Sequence, residues 1–189
     1  MIYRQGNCYH LYNRGINRGK IFFSDRNYLY LLEKIRNTYN DYGIGIIAYC
    51  LMPNHYHFLV KQITERPVSD WIKTLFVGYV QAINKEQKRK GTLFEGRVKS
   101  KFIDKEEYLI HLVRYIHSNP VRAGLVSELE EWQYSNYLEW IGLRKGVLFD
   151  KSILQMYFEN HHDYHEFVES YVHNKREIER LTKYLFKEK

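Results

Sequence analysis

The stretch "AYCLMPNHYHFLV", residues 48–60, decides the fold. An apolar run ends at Met52, Pro53 and Asn54 turn the chain, and "HYHFLV" returns as a second run. Two such runs about a two-residue turn predict an antiparallel hairpin, with a buried strand over 44–52 and its partner over 55–62. Side chains alternate along a strand. Tyr56, Phe58 and Val60 then point one way, toward packed helices. His55 and His57 point the other way, roughly 6–7 Å apart along the chain, onto a sheet face expected to be open. Two imidazoles so placed can converge on one metal ion. The chain has nine histidines, so the pair is a weak signal until its surroundings support it.

Elements on either side complete a familiar order. "NCYHLYNR" (7–14) alternates as a strand. "SDRNYLYLLEKIRNTYNDYG" (24–43) opens on Ser24 or Asp25 as N-cap and repeats Tyr28, Leu31, Leu32, Ile35 and Tyr39 at helical spacing. Over 66–90, Val68, Trp71, Ile72, Leu75, Phe76, Tyr79 and Ile83 mark a second amphipathic helix, with Gly91 as its stop. "TLFEGRVKSKFI" (92–103) reads as a fourth strand. The order strand, helix, strand, strand, helix, strand predicts an α+β, ferredoxin-like split β-α-β core, an antiparallel sheet with helices on one face. A further helix follows over 104–119, with Asp104 and Glu107 as a capping box and Pro120 as its end. The joint at Gly142–Gly146 divides the chain into residues 1–145, one compact domain, and a C-terminal helical extension over 146–189.

Charge points to a polyanion. The formal net charge is +7, and it is clustered. Residues 1–24 carry Arg4, Arg14, Arg18 and Lys20 and no acid, and residues 85–101 carry seven bases against Glu86 and Glu95. A basic strand and loop of this kind fit a nucleic-acid backbone, or else a solvated face. The 18 tyrosines offer rings on which unpaired bases stack, although most belong in cores and edges. Cys8 and Cys50 are the only cysteines and lie in apolar runs, so no disulfide framework is expected and a reducing compartment suits them. No run approaches signal-peptide or membrane-spanning character. The expectation is a cytoplasmic protein without a membrane partner.

Helix 104–119 bears the remaining candidates. Leu109, Leu112, Val113 and Ile116 form its core stripe. Tyr108, Tyr115 and Asn119 lie on its flank, Tyr115 and Asn119 as i, i+4 neighbours. An asparagine before proline is biased away from helix, which puts that geometry in question. Physics alone does not single out Tyr115 among the tyrosines.

Together, "AYCLMPNHYHFLV", "GTLFEGRVKSKFI" and "RYIHSNPVRAGLV" resemble the single-tyrosine HUH transposases, and most of all the REP-associated tyrosine branch of the IS200-like transposases. The opening "YHLYNRGINRGKIFFSDRNYLYLL" is similar as well, so the resemblance covers about residues 7–145. It implies a metal-dependent enzyme that cuts and rejoins single-stranded DNA beside a hairpin through a 5′-phosphotyrosine. Residue by residue, it implies Tyr115 as nucleophile and His55, His57 and Asn119 as ligands of Mg²⁺ or Mn²⁺. Tyr56, the middle residue of the HUH triplet, is bulkier than usual there. Arg14, Arg18, Lys88, Arg89, Lys90, Arg97, Lys99 and Lys101 would track the DNA backbone. The base for Tyr115 is not identifiable, and a monomer or a homodimer fits, the C-terminal segment leaning toward the monomer. The competing readings are a domesticated DNA-binding module on the same fold and a His-x-His metal hydrolase. The intact Tyr115 set argues against the first, and the lack of a carboxylate-rich companion motif against the second.

Overall fold

The computed structural model describes residues 2–172 and 174–186. Residues 173 and 187–189, part of the expected extension, lie outside the described residues. Four strands, β1 (Cys8–Arg14), β2 (Ile44–Met52), β3 (His55–Gln62) and β4 (Lys99–Phe102), form an antiparallel sheet in the order β2-β3-β1-β4. That is the ferredoxin-like order. Helices α1 (Asp25–Thr38) and α2 (Val68–Glu86) cover one face. Tyr56, Phe58 and Val60 point into this layer as alternation demands, and the Tyr56 ring stacks on Phe76 at 4.4 Å between centroids. Each fully buried α2 side chain of the Leu, Ile or Phe kind contributes about 1.5–3 kcal/mol.

The opposite face is not bare. Helix α3 (Glu106–Arg122) lies against β2, burying Leu109, Leu112, Val113 and Ile116 with Ile47, Ala48, Cys50 and Leu59. Outside it pack α4 (Tyr137–Trp140), α5 (Lys151–Tyr157), α6 (His161–Val172) and α7 (Lys175–Phe186). Trp140, Tyr164, Val168, Tyr171 and Leu181 bury in the same layer. The expected open face is therefore covered over β2 and open only beyond it.

Three local expectations fail for physical reasons. The strand expected over 92–103 is reduced to Lys99–Phe102. Leu93 and Phe94 are consecutive yet both sink into the α1/α2 layer, and successive strand residues cannot face the same side. Helix α2 stops at Glu86 rather than Gly91, because Lys88 takes a left-handed conformation at φ 51°. Asp104 and Glu107 form no capping box. Lys105 is the N-cap of α3 with no side-chain cap bond, and Asp104 accepts a hydrogen bond from Tyr184 Oη at 2.6 Å.

Pro120 does not end α3, which continues through it to Arg122. Proline deprives the Ile116 carbonyl of its backbone donor. The Asn119 side chain answers this, its Nδ2 donating to the Tyr115 carbonyl at 2.7 Å and reaching the Ile116 carbonyl at 3.4 Å. Asn119 thus sits in helical conformation, i+4 from Tyr115.

Candidate active site

Strand register assembles the site face. Across the sheet, Cys50, His57, Tyr12 and Lys99 form one row, and Ala48, Leu59, His10 and Lys101 the next. His55 pairs with Met52 and Arg14 in the row beyond. A cavity of about 700 Å³ opens here, with Tyr12, Arg14, Arg18, His55, His57, Arg97, Lys99 and Tyr115 in its wall. The ring centroids of His55 and His57 are 5.2 Å apart at 82°. Tyr115 stands edge-on to His57 at 5.6 Å and is 7% exposed. The two candidates from different elements, a strand and a helix, thus meet in one chain.

The imidazoles are set up as neutral donors of lone pairs. Asn54 turns its Nδ2 to the Arg18 carbonyl at 3.2 Å, so its Oδ1 accepts from His55 Nδ1–H at 2.7 Å. That fixes the lone pair of His55 on Nε2. His57 Nδ1 meets His10 Nε2 at 2.9 Å, leaving Nε2 of His57 as the remaining ring nitrogen. Burial lowers the pKa of His55 to about 4. It lowers that of His57 well below the usual value, helped by the charges of His10, His55 and Arg122. His10, fully buried, is lowered to about 3. Neutral imidazoles are the metal-binding form, and a ligand histidine held through its other nitrogen is the usual arrangement. The donor set fits a divalent ion at His55 and His57, although no group of three His, Cys, Asp or Glu side chains suited to a metal occurs among the described residues. Asn119, 9% exposed, is not in the cavity wall. With Nδ2 bound to its own helix, its Oδ1 is the atom suited to a cation.

Tyr115 feels opposing influences. Burial raises its pKa, while the charge of Arg122 and a hydrogen bond from it pull the other way.

The basic residues divide. Arg18, Arg97 and Lys99 line the cavity. Arg14 does too, but is bound to Glu95, with Nη2–Oε1 at 2.9 Å. Lys101 is engaged by α7, its Nζ bonded to the Tyr184 carbonyl and 3.6 Å from that ring's centroid. Lys88, Arg89 and Lys90 lie beyond the cavity wall. Arg18 is presented by a tight loop in which Asn17 and Arg18 take φ of 53° and 58°. A Cβ on Gly15 would run into the Gly19 carbonyl, so this turn requires glycine. Asn54 clamps it from below through Gly15 N–H to its carbonyl at 2.8 Å.

His10, Tyr12, Asn54 and Arg122 were not found by sequence reasoning. The alternation of "CYHLYNR" places His10, Tyr12 and Arg14 on one face and was the available signal for the first two.

The model of the family described as "Transposase IS200 like" matches residues 5–119. The chain belongs to the IS200-like transposase family. Transposase is therefore its family function. A Haemophilus influenzae protein described as a REP-associated tyrosine transposase is 24% identical over 152 residues, 67% of this chain and 84% of that protein. Among solved structures, a REP-associated tyrosine transposase bound to a REP hairpin superposes with a TM-score of 0.64 at 20% identity, covering 79% of this chain and 92% of the other. At that identity the likeness establishes the shared fold. Among the described residues, no helix is long and apolar enough to cross a membrane.

Proposed function

We propose that this transposase cuts and rejoins single-stranded DNA beside a hairpin, with Tyr115 as nucleophile. One observation carries the proposal: the Tyr115 ring stands 5.6 Å from that of His57 in the wall of a cavity that His55, Arg18, Arg97 and Lys99 share. The phenol oxygen attacks phosphorus in line, the 3′-oxygen leaves, and a 5′-phosphotyrosine forms. Because the ester bond is exchanged, a second 3′-hydroxyl can reverse the step. Bound at His55 and His57 Nε2, with Asn119 Oδ1 as oxygen ligand, Mn²⁺ or Mg²⁺ would supply Lewis-acid polarisation of the phosphate. Two imidazoles favour the softer Mn²⁺. Asn54 holds the His55 ring in the tautomer this requires, and His57 adopts it when its Nδ1–H donates to His10 Nε2. Arg18, Arg97 and Lys99 receive the DNA backbone, and Tyr12 offers a ring beside it.

Tyr115 and His57 meet within one chain, which supports a monomer acting alone. Residues 1–145 carry the chemistry, and α6 and α7 brace α3 from outside. The free thiols of Cys8 and Cys50 accord with a cytoplasmic setting.

The test is adduct formation. Incubated with Mn²⁺ and a labelled single-stranded DNA carrying a hairpin, the protein acquires a 5′-linked DNA adduct that survives denaturation. Tyr115→Phe removes one hydroxyl and abolishes it. Tyr108→Phe, two turns earlier on α3, leaves it intact. An adduct that persists in Tyr115→Phe would place the nucleophile elsewhere, and none from the parent on any hairpin would leave a DNA-binding module.

A further inference from the structure

Helix α3 outruns Pro120 by two residues, and the last of them is Arg122. Seven residues make two helical turns, so Arg122 and Tyr115 share a face. The guanidinium carbon of Arg122 lies 5.0 Å from the centroid of the Tyr115 ring, close enough to pull the phenol pKa down against the effect of burial. Its Nη1 is buried with no hydrogen-bond partner. No carboxylate forms an ion pair with Arg122 among the described residues.

Arg122 as a whole is half-buried, but a guanidinium nitrogen held out of water without a partner is costly. The arrangement makes sense where negative charge arrives during the reaction. Two such charges arise at Tyr115: the oxygen that becomes a nucleophile and the phosphate it attacks. Arginine stays protonated and cannot serve as the base. It can hold charge that another group's proton loss creates.

We propose that Arg122 is a catalytic residue that stabilises the charged Tyr115 oxygen and donates from Nη1 to a non-bridging oxygen of the scissile phosphate. This rests on the nucleophilic role of Tyr115 proposed above. In cleavage, the phenol proton passes to solvent as the Oη–P bond forms. The P–O3′ bond breaks and the 3′-oxygen takes a proton from solvent. In joining, an incoming 3′-hydroxyl loses its proton, attacks phosphorus, and the tyrosine oxygen leaves with the electron pair, held by Arg122. Both directions cross the same transition state, so Arg122 accelerates them equally and leaves the equilibrium between free and covalent DNA unchanged.

That symmetry is the test. Arg122→Gln and Arg122→Lys are compared with the parent in single-turnover cleavage and in rejoining from preformed adduct, both at saturating hairpin DNA with Mn²⁺. Arg122→Gln slows both steps by about 100-fold, the effect of losing one transition-state donor. The dissociation constant for DNA and the final adduct fraction stay within about twofold, as a purely transition-state role requires. Arg122→Lys, or guanidinium ion added to Arg122→Ala, restores part of the rate. Parent-like rates in Arg122→Gln would overturn the assignment while leaving Tyr115 in place. So would a loss that tracks thermal unfolding and that neither lysine nor guanidinium repairs. A parent protein that forms no adduct would remove the reading of Tyr115, and this inference with it.

Discussion

His117 makes the fold acid-sensitive in a way that can be worked out atom by atom. It is 1% exposed on α3, facing the C-terminal helices. Asn136 Nδ2 donates to the carbonyls of Ile47 and Leu148 at 3.0 and 3.2 Å, so Asn136 Oδ1 only accepts. It takes Tyr49 N–H at 2.8 Å and His117 Nε2–H at 2.9 Å. The proton of His117 is therefore on Nε2, and Nδ1 accepts from Tyr164 Oη at 2.5 Å. A second ring proton would face a donor. Burial accordingly lowers the pKa from 6.5 to about 3, against a smaller upward pull from Asn136.

The folded state keeps this ring neutral, while the unfolded chain takes up a proton below pH 6.5. The contribution of His117 to stability is thus complete above pH 6.5. It is lost as pH falls toward 3 and levels off below that. The loss runs at about 1.4 kcal/mol per pH unit, or about 2 kcal/mol between pH 6.5 and 5. Total stabilities of such domains are about 5–15 kcal/mol, so the effect is large. The perturbation is His117→Gln, which retains a donor and an acceptor and does not titrate. Urea unfolding in EDTA at pH 7.5 and pH 5.0 measures both proteins. The variant is less stable at pH 7.5, but the parent loses about 2 kcal/mol more on acidification. The remaining buried histidines titrate alike in both and cancel. Equal losses in parent and variant would refute the assignment of a neutral, doubly bonded His117.

Two further outcomes follow from the geometry. Replacing Arg18, Arg97 and Lys99 together by glutamine flattens log affinity against log salt for single-stranded DNA by about two units, whereas Lys101→Gln alone changes it little because α7 already engages that lysine; binding titrations over a range of salt decide this, and the reverse order would misplace the DNA path. Asn119→Ala destabilises α3 by about 1–2 kcal/mol, and Pro120→Ala in the same chain recovers part by giving the Ile116 carbonyl a backbone donor again; a thermal double-mutant cycle with no coupling would refute the helix-mending role.

The hairpin at the centre of the fold was readable because its evidence is local. "IGIIAYCLM" and "HYHFLV" flank a Pro-Asn turn, and alternation in β3 separates Tyr56, Phe58 and Val60 from His55 and His57 without ambiguity. The helical stripe of α2 was equally plain. What failed lay where tertiary packing overrides local preference. Leu93 and Phe94 look like strand residues, and only the position of the α1/α2 layer shows that both must turn inward. Pro120 is a sound helix stop until the amide of Asn119 covers the exposed carbonyls. The covered face did carry a signal. β2 is apolar at nearly every position, and a half-exposed strand would alternate. That continuous run says both of its faces are buried, before any helix is assigned to the second.

The candidate site shows why its residues were unequally legible. His55 and His57 are two residues apart, so strand geometry alone brings them together. Tyr115 reaches them only because α3 crosses the sheet over β2 and leaves open the end of the sheet that carries Tyr12, His55 and Lys99. The path of that helix depends on the packing of Tyr164, Val168 and Tyr171 outside it, which lie far along the chain. His10 and Arg122 are further removed, since each shows its place only beside a partner, His10 against His57 and Arg122 beside Tyr115. An isolated histidine in β1 or an arginine at a helix end carries no pattern of its own. On the roles proposed for His57 and Tyr115, each partner has a physical reason. A coordinating imidazole needs its second nitrogen held, and a tyrosine that must bear charge inside a protein needs a cation beside it. Behind the cavity wall, residues legible in the sequence, His57 and Tyr115, thus meet residues supplied by the fold, His10 and Arg122.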